Sequence, residues 1–312
     1  MQNKIDANFF PGFTRKSVTF TIDDGNVKLD KKFLDIVNPA GLVGAFNLVS
    51  SITGYLTPEE YREFYRGHEI ANHCKYHPTL IHDIKDYKLS PDEFDRETAN
   101  PEFIYRAEEE GVYRICRRGC WNRAATFEAY KRLVDVSKKE LEEIFGEGSI
   151  KAFVWPYGYQ NSDELCDLIA KEGYLYIRKT GDLGETNDFD IVKDRMMWSY
   201  TAHNFTMTEL MAKYEALADD GKLKMFAFGV HSHDFENAGN WDVLIDFCEK
   251  YGNRPEDFWY ATPSDIFEYQ DAVNALTVTD TEIINGSEIK LYIKVNGKRV
   301  TLFPKSKYKI TE

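Results

Sequence analysis

Two short stretches hold most of the ionisable chemistry in this chain. Thr19–Gly25 reads TFTIDDG, an apolar run that stops on two adjacent carboxylates and a glycine. Like charges side by side at the end of a buried element are costly unless something cationic neutralises them. Asn72–His77 reads NHCKYH and places His73 and His77 four residues apart. On a helix or a tight loop that spacing brings two imidazoles to one point, and with a carboxylate they make a two-histidine, one-carboxylate set for a divalent metal. The plain alternative is a pair of surface or packing histidines. The chain has only seven histidines, so two at this spacing beside DDG favour the metal. The expected ligands are Asp24, His73 and His77. Three protein ligands leave a position open for water, as catalytic rather than structural sites do. Asp23, beside the ligand, is then placed to accept the water's proton as general base.

Those side chains need strands to present them. The pattern predicts strands over Val18–Asp23, Gly44–Val49, Glu69–Asn72, Lys151–Trp155, Tyr174–Ile177, Lys224–Val230 and Asp257–Ala261. Helices are predicted over Lys31–Val37, Pro58–Tyr65 (with Thr57 as N-cap), Thr126–Phe145, Asp163–Lys171, Met207–Ala218 and Trp241–Tyr251. Strands alternating with helix-length crossovers imply a parallel sheet. Four strands run into polar clusters: DDG, HCKYH, PYG (Pro156–Gly158) and HSHD (His231–Asp234). In parallel α/β folds, sites lie at the C-terminal ends of strands. Ser90–Trp121 is polar, with weak periodicity, and reads as an insertion. After about Val273 the pattern alternates with period two and carries two turn signals, Asn285-Gly286 and Asn296-Gly297. The expected division is a main domain over residues 1–272 and a small β appendage over 273–312.

The bulk numbers narrow the partners. A net charge of −13 disfavours nucleic acid and anionic membranes and suits neutral or cationic small molecules and sugars. No apolar run is long enough to span a bilayer, and the N-terminus lacks a basic start followed by an apolar stretch, so the expected location is cytoplasmic, with secretion the alternative where a leader has been removed. Five scattered cysteines, an odd number, argue against a disulfide scaffold. The oligomeric state is not readable from the sequence.

TIDDG, HCKYH, the strand ending WPYG and the strand ending VHSHD follow the order and spacing of the polysaccharide deacetylase (NodB-homology) family, which this chain resembles over about Val18–Tyr269. The resemblance implies a distorted (β/α)7 barrel. It implies Asp23 as base, and Asp24, His73 and His77 as metal ligands, with zinc the first expectation and cobalt, nickel or manganese also suited. It also implies that the backbone N–H of Tyr157 helps hold the oxyanion, with Pro156 fixing that turn, and that a late histidine acts as general acid. His231 is the choice, because it directly ends KMFAFGV. His233 is the runner-up, and strand alternation would put it on the same face. Trp155 is a candidate lining residue of a sugar cleft, with core packing equally open.

Two departures matter. Cys74 stands where Ser or Thr is common, and reads as a small buried thiol. The family's third motif carries an arginine shortly before the proline, which orients the base; here that neighbourhood reads Ala152-Phe153-Val154-Trp155. Arg178 and Arg195 are the arginines that could reach in from another strand. The implied activity is metal-dependent removal of acetyl groups from an N- or O-acetylated carbohydrate. The alternatives are hydrolysis of a cyclic amide or ureide on the same fold, and carbohydrate binding without turnover.

Overall fold

A computed structural model describes residues 3–80, 104–106, 112–115, 121–124, 126–158, 162–179 and 189–310. In chain order the barrel elements are strand β1 (Lys16–Asp24), helix α1 (Val27–Val37), β2 (Ala45–Leu48), α2 (Pro58–Phe64), β3 (Glu69–Asn72), α3 (Phe127–Phe145), β4 (Ala152–Val154), α4 (Asp163–Ala170), β5 (Tyr176–Arg178), α5 (Met207–Glu215), β6 (Lys224–His231), α6 (Ser232–Ala238), α7 (Trp241–Tyr251), β7 (Trp259–Tyr260) and α8 (Pro263–Asn274).

The sheet is parallel, in the order β5-β4-β3-β2-β1-β6, with β7 pairing the start of β1. The irregular segment Trp198–Ala202 joins its two edges. Trp198 bridges Arg178 on β5 and Ala202 bridges Phe228 on β6, both in parallel sense. Six strands and this segment therefore close a seven-membered ring, the distorted (β/α)7 barrel that the family resemblance implies. Gly229 makes the closure possible: a Cβ there would lie 2.2 Å from Cδ1 of Tyr200.

Period-two alternation sorts the strand residues into two layers. Val18, Phe20 and Ile22 of β1 pack outward with Phe46, Phe153, Ile177 and Phe228 against the helices. The α3 residues Tyr130, Leu133, Val134 and Leu141 close over that layer as an apolar stripe. The inner layer holds smaller residues such as Ala71, Ala152, Val154 and Ala227, together with Tyr176. Thr19, Thr21 and Asp23 are the alternate residues of β1. Asp23 is thus the last residue of an inward-facing row, which answers why a buried strand ends on a carboxylate.

Local signals fix the ends. Thr57 and Glu60 form a reciprocal capping box at the start of α2. Arg178 is the last residue of β5, a strand that begins at Tyr176 rather than Tyr174. At His231 the chain turns at once into α6, so the expected alternation stops there.

The C-terminal segment contributes strands Thr277–Val278, Glu282–Asn285, Leu291–Val295, Lys298–Leu302 and Ser306–Lys309. Asn296-Gly297, both at positive φ, turns Leu291–Val295 into Lys298–Leu302. Asn285-Gly286 makes no such hairpin. The amide of Asn285 instead donates to the Ile289 and Phe303 carbonyls, and its strand pairs with Ser306–Lys309. An N-terminal strand, Ile5–Phe9, pairs antiparallel with Leu291–Val295, and the inner core layer continues into Leu291 and Ile293. Most of the Ser90–Trp121 insertion, with Cys116 and Cys120, lies outside the described residues. Within and beside it, strands Val112–Ile115 and Trp121–Ala124 pair antiparallel.

Candidate active site

Sheet register sets the functional side chains at one level. Asp23 is the direct partner of His231 on β6 and of Asn47 on β2. Asp24 pairs with Leu48, which pairs with Asn72, the residue before His73. Val154, two residues before Pro156, pairs with Arg178. All of these positions lie at the C-terminal ends of their strands.

The backbone leaves the strand geometry there. Asp24 (φ 78°), Cys74 (64°), Tyr76 (65°), His77 (49°) and Tyr157 (55°) occupy the left-handed region that non-glycine residues avoid. At Asp24 this swings the carboxylate off the inner row and toward the histidines. Asn72 braces the histidine loop: its amide donates to the Val134 carbonyl and the Tyr174 hydroxyl, and its Oδ1 accepts from the Cys74 N–H at 2.9 Å.

His73 Nδ1 donates to the Val154 carbonyl at 2.9 Å. That bond fixes the tautomer of the neutral ring and leaves Nε2 as a lone-pair donor. His73 Nε2 and His77 Nε2 lie 3.1 Å apart, and Asp24 Oδ1 lies 3.5 Å and 3.4 Å from them. Ligand atoms on a tetrahedral zinc are separated by ~3.3–3.4 Å, from bond lengths of about 2.0–2.1 Å. Asp24 Oδ1 is buried and, among the described residues, lacks a hydrogen-bond partner of good geometry, an orphan that a cation would satisfy. The three residues therefore fit a divalent metal. Asp24, His231 and His233 make a second candidate set, but His231 Nε2 lies 3.8 Å from Asp24 Oδ2, which is a poorer match.

Protonation agrees with that chemistry. Burial opposes ionisation of Asp24, but at the low pH where it would take a proton the hydrogen bond from His73 and the charges of the then protonated His73, His231 and His77 hold its pKa well below the usual carboxylate range. Burial and the neighbouring His73 push His77 down to about 4, so its imidazole is neutral, as a ligand must be. Asp23 is almost wholly buried. Burial works to raise its pKa, and the Arg178 charge, in direct contact, more than reverses this. Asn47 donates to the same Oδ1 at 2.6 Å and to the Thr21 hydroxyl at 2.7 Å. His231 Nδ1 and its backbone N–H both donate to Asp234 Oδ2, at 3.0 and 2.8 Å. Burial disfavours its charge, but that bond and the charges of Asp23 and Asp24 raise its pKa to about 9. Its Nε2 faces Asp24 Oδ2 at 3.8 Å.

The remaining predicted residues divide. Tyr157 is half exposed and sets its ring edge-on to His77, with centroids 4.4 Å apart. Pro156 is buried in the turn before it. His233 comes near the cluster by stacking on His231 from the first turn of α6, not by strand alternation. Trp155 does not line a cleft, contrary to expectation: its indole is completely buried, packed on Phe153 and Tyr130 in the outer layer. Arg178 stands beside Asp23, whereas Arg195 pairs with Asp271 on α8. Asn47, Asn72 and Asp234 are site residues that sequence reasoning did not single out. The His231-x-x-Asp234 spacing is the signal that was available for the last of them.

The family model for polysaccharide deacetylase matches residues 11–177. The chain belongs to that family. No curated protein matches it. Among solved structures, it is similar to a candidate polysaccharide deacetylase from Mycobacterium smegmatis, at 17% identity and a TM-score of 0.50, over 86% of this chain and 96% of that one. It is also similar to Puue allantoinase, at 13% identity and a TM-score of 0.53, over 83% and 91%. At such identities the likeness is one of fold. Among the described residues, no helix is long and apolar enough to cross a membrane.

Proposed function

We propose that this polysaccharide deacetylase family member is a metal-dependent hydrolase that removes acetyl groups from an N- or O-acetylated carbohydrate. The observation that carries the reading is the triangle of Asp24 Oδ1, His73 Nε2 and His77 Nε2, with edges of 3.1, 3.4 and 3.5 Å around an orphaned carboxylate oxygen. A divalent ion held by those residues, zinc first and cobalt, nickel or manganese also suited, supplies Lewis-acid activation of water and of the acetyl carbonyl.

The chain's own groups do the rest. Asp23 is the general base. Its Oδ1 is engaged by Asn47 and Arg178, so Oδ2 is the atom that takes the water's proton. The Tyr157 backbone N–H, in a turn held at positive φ, donates to the developing oxyanion. His231 is protonated at neutral pH and oriented by Asp234, as a general acid requires. Its Nε2 proton passes to the leaving amine or alcohol. Pro156 holds the turn, and His233, stacked on His231, borders the substrate side.

The test is acetate release from chitooligosaccharides, acetylated xylan, N-acetylglucosamine and an aryl acetate, by metal-replete protein, chelated protein and Asp23→Asn. Acetate that disappears on chelation and in the variant is the expected result. No acetate from any substrate by protein with bound metal would overturn the reading. A cyclic ureide in the same panel tests the amidohydrolase alternative.

A further inference from the structure

We infer that Arg178 is the positioning residue for Asp23, and that this chain presents that arginine from β5, one strand along from β4 and at the same level. The inference rests on Asp23 being the base.

Register is the first support. Arg178 is the direct parallel partner of Val154, which lies inside the Ala152–Trp155 stretch where the arginine is missing. In-register residues on neighbouring parallel strands point to the same face, about 4.8 Å apart. Val154 belongs to the inner layer, as does Tyr176, two residues before Arg178. The guanidinium therefore enters the barrel at the level that an arginine at Val154 would reach.

Contact is the second. Nη2 of Arg178 touches Asp23 Oδ1, the oxygen that also accepts from Asn47. Two donors on one oxygen set the rotation of the carboxylate and leave Oδ2 as the reacting atom. Beneath the guanidinium lies the Tyr200 ring, 5.2 Å from Cζ to centroid, in the space left by Gly229. Arg195, the other candidate, is engaged by Asp271 and Gln270 instead.

Burial is the third. Arg178 is wholly inaccessible, and among the described residues its Nε has no hydrogen-bond partner. A buried ion pair with an unsatisfied donor gains little for stability over an apolar pair of similar size. Its presence at the inner rim is accounted for by what it does to Asp23.

The experiment compares Arg178→Ala, Arg178→Lys and the swap Arg178→Val with Val154→Arg. The assays are acetate release, metal content and the crystal structure of each variant. Expected is a fall of about 100-fold or more in kcat for Arg178→Ala, with KM and metal content little changed. Arg178→Lys should be intermediate, and the swap should recover to within about tenfold of the wild type. In the Arg178→Ala crystal, the Asp23 carboxylate should turn from its bond with Asn47. Folded Arg178→Ala within threefold of wild type, or a swap no better than Arg178→Ala, would overturn the inference. So would an Asp23 carboxylate unmoved in the crystal. A wild-type protein that releases no acetate counts against the proposed activity, and the crystal arm still decides the role of Arg178.

Discussion

Asp30 offers a sharp test of the electrostatics behind the catalytic turn. It lies in the first turn of α1 and is completely buried. Its Oδ2 accepts from the Tyr65 hydroxyl at 2.8 Å, and the Ser232 hydroxyl is its other polar neighbour. Burial raises its pKa to about 7, against the opposing pull of the Ser232 and Tyr65 hydroxyls, and the charge of Asp24 adds a little to the rise. The sign follows from linkage. In the unfolded chain the group ionises near the ordinary value of 3.8, so the folded state binds the proton more tightly. Folding stability is therefore full below about pH 4, falls as pH rises, and levels off above about pH 7. A shift of about three units corresponds to ~4 kcal/mol at most, and relaxation around a real buried charge makes about 2 kcal/mol the working figure. Asp30→Asn removes the charge and keeps both an acceptor for Tyr65 and a donor for Ser232. The variant should match the wild type at pH 4.5 and exceed it by about 2 kcal/mol at pH 8. Urea unfolding at several pH values reads the difference, in which all other titrations cancel. A gap between the two proteins that does not change with pH would refute the assignment.

Three further outcomes are expected. Metal analysis of the wild type should find about one divalent ion per chain, and His77→Ala or Asp24→Asn should weaken its binding by more than about 100-fold, beyond what loss of an outer partner costs. The stabilisation on adding zinc, about 3 kcal/mol at a hundredfold excess over Kd and read as a rise in Tm, should all but vanish in both variants. Trp155→Ala should cost about 3–5 kcal/mol of stability and leave the KM of the folded fraction unchanged; a rise in KM at full stability would restore Trp155 to the cleft. Gly229→Ala forces a Cβ against Tyr200 and should cost about 1–3 kcal/mol, measured by chemical denaturation, and an unchanged midpoint would count against the tight barrel closure.

The parts of this protein that were legible in its sequence are those written locally. An apolar run ending in DDG, and a histidine pair directly after another run, identify strand ends without reference to the rest of the chain. The α2 capping box and the turn at Asn296-Gly297 are equally local, and both take the form their residues predict. Trp155 shows where the signal fails. The run AFVW is apolar throughout, so alternation cannot say which of Val154 and Trp155 faces inward. The answer came from register, with Val154 beside Arg178 in the inner layer and Trp155 beneath α3. Likewise the pairing of Ile5–Phe9 with Leu291–Val295 joins the two ends of the chain, a contact that no window along the sequence contains.

The arginine is the deeper case, because what the sequence lacked was not a residue type but a coordinate. A motif records positions along one strand, whereas Asp23 responds only to where a cation sits in space. Two neighbouring parallel strands offer the same level of the barrel to side chains some 24 residues apart in sequence, Val154 and Arg178. Either position can deliver a guanidinium to the same carboxylate, provided the strand reaches far enough. Here β5 does so by one residue, ending at Arg178, and the Tyr200–Gly229 contact provides the bed on which the side chain lies. Reading a motif as a set of required places rather than required letters turns an apparent loss into a relocation, and makes Val154 the position at which it can be reversed.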